Sequence, residues 1–69
     1  MEVKRMKFKD LVELNLRYSN ETIIELYVCD VYNAPKHYFE LIKIKEALHF
    51  KEYDVVGFID YTVYLKEVK

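Results

Sequence analysis

Tyr53, Val55, Gly57, Ile59, Tyr61, Val63 and Leu65 fall on alternate positions, the longest apolar alternation in the chain. A period of two places them on one side of an extended backbone, so the stretch reads as a strand, and a strand must find others to pair with. Its second side carries Asp54, Asp60, Thr62 and Lys66, interrupted by Val56, Phe58 and Tyr64. Gly57 has no side chain to pack, and marks a bulge, a bend or the close approach of another backbone.

Partners for that strand lie upstream. Val12, Leu14, Leu16 and Tyr18 alternate with Glu13, Asn15 and Arg17, which predicts a half-buried strand. Ser19-Asn20-Glu21 follows, polar and turn-prone because Asn tolerates the left-handed backbone that tight turns need. Thr22 to Tyr32 is rich in β-branched and aromatic residues and predicts the return strand of a hairpin. Ile24, Leu26, Val28 and Tyr32 fill one face of it, while Ile23, Tyr27, Cys29 and Val31 leave the other apolar as well. Both sides of this strand want cover.

Asn33-Ala34-Pro35 breaks the strand. Asn33 can cap a helix with Pro35 in its first turn, and a helix from about Pro35 to about Phe50 would put Tyr38, Leu41, Ile44 and Leu48 on one side. Lys45 lies close to that stripe, and Phe39 and Phe50 lie off it. A competing reading makes His37 to Lys45 a third strand. Against it, the apolar phase switches from Phe39 and Leu41 to Ile42 and Ile44, which an uninterrupted strand would not do.

The favoured architecture is therefore α+β: a β-β-α-β domain with a mostly antiparallel sheet of three or four strands and one helix on one face. An N-terminal strand through Met6 and Phe8 would supply the fourth strand. With the competing strand the domain becomes a small five-stranded β-barrel. At 69 residues there is room for a single domain spanning 1–69. A chain of this size buries only about 60% of the surface its unfolded form exposes, so small domains often add a staple. Cys29 is the only cysteine, which excludes an internal disulfide and fits a reducing compartment. Cys29, His37 and His49 offer three zinc ligands where four are wanted, at separations matching no zinc motif. Association is left as the stabiliser, and a homodimer is the default expectation.

Met1 to Asp10 holds no apolar run of signal-peptide or membrane-anchor length, so a cytoplasmic protein without a membrane contact is expected. The chemistry of a catalyst is missing too. Ser19 sits in the expected hairpin turn and Cys29 inside a strand; Asp30, Asp54 and Asp60 read as solvated strand charges; Glu67-Val68-Lys69 matches a nuclease-like acid-x-Lys pair only at a chain end. The single Gly rules out a Gly-rich phosphate loop. No enzyme, cofactor or metal is expected.

What stands out is the face a lone helix would leave bare. Ile23, Tyr27, Cys29, Val31, Val56, Phe58 and Tyr64 would form an apolar patch larger than the few hundred Å² usual for a monomer. The expectation is a non-enzymatic protein–protein interaction module, a small regulator or inhibitor. The chain uses Lys, Ile, Tyr, Phe and Asn freely and holds one Gly and one Pro, a bias an A/T-rich genome would produce. That suits a phage or mobile element, with an inhibitor of a host defence system such as an anti-CRISPR protein as the concrete form. Glu13, Glu25, Asp54 and Asp60 would then compete for basic surface. The alternative is a small nucleic-acid-binding regulator using the basic cluster Lys4, Arg5, Lys7 and Lys9, helped by Lys36, Lys43 and Lys45 and by tyrosines as stacking platforms. A net charge of −1, with twelve acidic residues spread through the chain, weighs against it.

Overall fold

The computed structural model describes residues 6–68. Helix α1 (Phe8–Leu14) leads into strand β1 (Ile23–Cys29) and strand β2 (Pro35–Lys43). Helix α2 (Ile44–Ala47) continues as a 3-10 turn, Leu48–Phe50, before strands β3 (Asp54–Ile59) and β4 (Thr62–Lys66). The strands form one sheet in the order β2-β1-β4-β3. Pairs β1–β2 and β3–β4 are antiparallel, whereas β1 and β4 run parallel at the centre. The domain is α+β with a four-stranded mixed sheet and two short helices, and the sheet does not close into a barrel.

The central strands supply the floor of the core through Ile24, Leu26 and Val28 of β1 and Val63 and Leu65 of β4. Phe8 and Leu11 of α1 and Ile44 and Ala47 of α2 cover them, all within one cluster. Each large side chain fully buried there contributes about 1.5–3 kcal/mol. Both helices therefore lie on the same face of the sheet. Among the described residues, no helix is long and apolar enough to cross a membrane.

Four local assignments differ from the sequence reading. Over residues 12–18 there is no strand. Phe8, Leu11 and Val12 follow helical spacing, and that stripe packs on the core, leaving Leu14 and Leu16 of the alternation in solvent. The helix start is held by Asp10, whose carboxylate accepts the Lys7 N–H at 3.2 Å. The N–H groups of Phe8 and Lys9 donate to the carbonyls of Tyr53 and Lys51 at 2.9 and 3.0 Å, so these orphan donors of the first turn are satisfied by the segment leading into β3. Tyr18, past the helix, is buried and donates its hydroxyl to the Asp60 carbonyl at 2.5 Å. The N-terminal strand through Met6 and Phe8 shrinks to one bridge, Lys7 opposite Asp54.

The helix expected over 35–50 survives only at its end; the rest is β2. Asn33 adopts the left-handed backbone, φ 65°, in the β1–β2 turn instead of capping a helix. Asp30 Oδ1 fastens that turn by accepting the N–H groups of Tyr32 and Ala34 at 2.8 and 2.9 Å. Pro35 opens β2 on the sheet edge, where a missing donor is tolerated. The phase switch that argued against a strand is a β-bulge. Ile24 pairs with Ile42 and Leu26 with Phe39, so β2 sets two residues, Glu40 and Leu41, against Glu25. Phe39 and Ile42 thereby both reach the core side.

The long alternation 53–65 is likewise two strands, folded back through a turn at Asp60 (φ 51°) and Tyr61. Pairing of Ile59 with Thr62 and Phe58 with Val63 shifts the parity of core-facing positions by one. A second bulge at Val56, between the Val55–Leu65 and Gly57–Tyr64 pairs, shifts it back. Two phase changes cancel, so odd-numbered residues look continuous across a chain reversal.

Candidate interaction surface

The face of the sheet opposite the helices is built by the residues that alternate with the core. Register places Tyr38 beside Tyr27, Tyr27 beside Tyr64, and Tyr64 beside Gly57, one residue from each strand in a row across the sheet. The Tyr27 and Tyr38 rings lie 4.7 Å apart, tilted by 34°. Tyr27 and Tyr64 stack at 4.8 Å and 11°. Both spacings suit attractive aromatic contact. Tyr27 thus has neighbours on both sides of its ring, while Tyr64 borders the bare backbone of Gly57, where an added Cβ would meet nothing within 4 Å.

Glu25, two residues before Tyr27, collects three hydroxyls. Its Oε2 accepts from Tyr38 at 2.6 Å and from Tyr27 at 3.1 Å, and its Oε1 accepts from Thr62 at 3.1 Å. The Tyr38 hydroxyl bond is the largest cause holding this carboxyl below its usual range. The same bonds push the hydroxyls of Tyr38 and Tyr27 up. At neutral pH this is an anion fixed among neutral donors, a poor base and a poor acid, but a rigid polar anchor. No cation among the described residues forms an ion pair with it.

Of the residues singled out in the sequence, Ile23, Tyr27, Cys29 and Tyr64 come together on this face. Val31 lies half-buried in the β1–β2 turn. Val56 occupies the β3 bulge, and Phe58, in register with core Val63, belongs to the helix-covered side at the sheet edge. The sequence reading missed Tyr38 and the ties of Glu25 and Thr62. The misplaced helix hid them; the switch of apolar phase at residues 39–42 was the signal that carried the bulge.

Of the basic cluster, Lys7 and Lys9 are among the described residues, and both meet Glu52. Lys4 and Arg5 lie outside the described residues. Lys7 Nζ donates to the Glu52 carbonyl at 3.1 Å, and Lys9 pairs with the Glu52 carboxylate at 3.0 Å. Lys43 and Lys45 both meet Glu21, and Lys36 meets Glu67. The four acids proposed to act together do not share one surface: Glu13 is on α1, Asp60 is in the β3–β4 turn beside Arg17, and Asp54 and Glu25 are on the sheet. Cys29 alternates with core-facing Val28, whose register partner is His37, so Cys29 and His37 point to opposite sides of the sheet. Among the described residues, no three His, Cys, Asp or Glu side chains gather where they could hold a metal ion.

No protein-family model, curated protein or solved structure matches this chain.

Proposed function

We propose that the chain is a non-enzymatic interaction module that binds protein through the open face of its sheet, acting as a small regulator or inhibitor by occupying the surface it meets. One observation carries this: both helices pack on one side, and the other side presents a pre-stacked row of tyrosines flanked by Ile23 and Ile59, which are 50% and 70% exposed. Tyrosine suits the core of an interface because its ring is apolar and its hydroxyl polar. Rings already held by stacking and by Glu25 lose little freedom on binding, so more of the contact energy appears as affinity. The A/T-rich residue usage fits a phage or mobile-element regulator, with an inhibitor of a host defence system as its concrete form.

The nucleic-acid alternative has less support. A base needs a free ring face, and Tyr27 offers none. A phosphate backbone would meet the Glu25 carboxylate, and Lys36, Lys43 and Lys45 already pair with acids.

A photo-crosslinking residue placed at Tyr64 on the open face and, separately, at Glu13 on α1 tests the reading in cells. Protein adducts from position 64 and few from 13 are expected. Adducts of nucleic acid, or equal yields from both positions, would overturn it.

A further inference from the structure

The occupant of the open face can be argued from how its charges are arranged. Glu25 lies two residues before Tyr27 on β1, and Lys66 lies two residues after Tyr64 on β4. Because β1 and β4 are parallel and Tyr27 and Tyr64 are register partners, the carboxylate and the ammonium stand on opposite sides of the tyrosine row at equal distances, about 6.6 Å along the strands. Lys66, like Glu25, enters no ion pair among the described residues. A two-fold axis laid over the row, across the strands, therefore carries the Glu25 position onto the Lys66 end of the face. A surface that carries an anion on one side of such an axis and a cation on the other brings the anion of each copy to the cation-bearing end of its mate, where Lys66 stands beside its register partner Asp54, and so meets the self-complementarity an isologous interface requires.

We propose that the open sheet face is covered by a second copy of this chain, the two sheets packing face to face about the Tyr27–Tyr64 row so that Glu25 of each protomer pairs with Lys66 of the other. In this arrangement β1 lies over β1 and β4 over β4, with strand directions reversed. Glu25 faces the neighbourhood of Cys29 of the second copy, and Lys66 stands one strand spacing, about 4.8 Å, to the side. The tyrosine rows meet at the axis, where apolar burial is deepest. Such a two-layer sandwich also gives a small core the extra burial it lacks alone.

The proposal rests on the reading of the open face as an interaction surface, and its test separates the two. Sedimentation equilibrium should give twice the chain mass of 8.4 kDa. Glu25→Lys and Lys66→Glu should each weaken the dimer about a hundredfold, since like charges then meet at both symmetric contacts. The double exchange Glu25→Lys/Lys66→Glu should restore it. Circular dichroism of each variant establishes folding, and Lys66→Glu, which touches none of the Glu25 hydroxyl bonds, serves if Glu25→Lys fails to fold. A folded Lys66→Glu protein that dimerises as before overturns the proposal. So does a wild-type mass that stays at one chain up to about 1 mM, where even a millimolar Kd would be evident. Protein adducts to a different partner from position 64, together with a monomeric mass, would leave the interaction reading standing and remove the second copy.

Discussion

Tyr38 on the edge strand β2 donates its hydroxyl to Glu25 on β1 at 2.6 Å, and this bond ties the rim of the tyrosine row to the anion beside it. Glu25 is titrated downward by it more than by any other contact. A carboxyl whose folded pKa is depressed adds stability that is present above its usual 4.5 and is lost as pH falls through the folded value. Tyr38→Phe should therefore make the acid limb of the stability–pH curve shallower and return Glu25 towards its usual pKa. Carbon-13 NMR titration of the Glu25 carboxyl checks this; an unmoved pKa would show that the bond is not formed in solution.

The tyrosine hydroxyls carry the opposite sign. Tyr38 and Tyr27 are raised above the usual 10.0 chiefly by bonding to Glu25, so their contribution is full below pH 10 and is lost as pH climbs through the raised values. Ultraviolet titration should find at least two of the seven tyrosines ionising late, and both should return to the main transition in Glu25→Gln.

Leu26 is fully buried on β1 and Leu16 fully exposed, although both belong to apolar alternations of equal appearance. Leu26→Ala should cost about 2–5 kcal/mol, most of the stability a chain of this size possesses. Leu16→Ala should stay within about 0.5 kcal/mol. Urea unfolding of the two variants compares them directly, and a large loss at Leu16 would restore the strand reading of residues 12–18.

Gly57 has no need of its freedom: its φ is not positive, and a Cβ there meets nothing within 4 Å. Gly57→Ala should stabilise the folded state by about 0.4–1 kcal/mol, through the smaller entropy of the unfolded chain. A melting temperature that falls would mean another backbone approaches this position.

Asn33, at φ 65°, is the residue the β1–β2 turn depends on. Asn33→Gly should be nearly neutral, whereas Asn33→Val should cost about 1–2 kcal/mol because a β-branched side chain resists the left-handed region. Thermal unfolding of the pair tests the turn, and equal stabilities would deny it.

Much of the layout was legible in the residues. The α+β class, the sheet of up to four strands and the apolar second face of β1 all follow from composition and alternation, and Ile23, Tyr27 and Cys29 were placed together because β1 is regular over its length. Alternation reports side-chain parity only while the backbone stays regular, however. The bulge opposite Glu25 made β2 resemble a helix, and the bulge at Val56 with the turn at Asp60 made two strands resemble one.

The sequence by itself determined which residues are apolar and in what local rhythm, and so determined that a sheet with one covered face would form. Which strands became neighbours was decided only in the tertiary structure. The parallel pairing of β1 with β4 sets Tyr27 against Tyr64, and the bulged pairing of β1 with β2 brings Tyr38 to Glu25. Those are contacts between distant segments, fixed by burying Leu26, Val28, Val63 and Leu65 under two helices, and no local pattern encodes them.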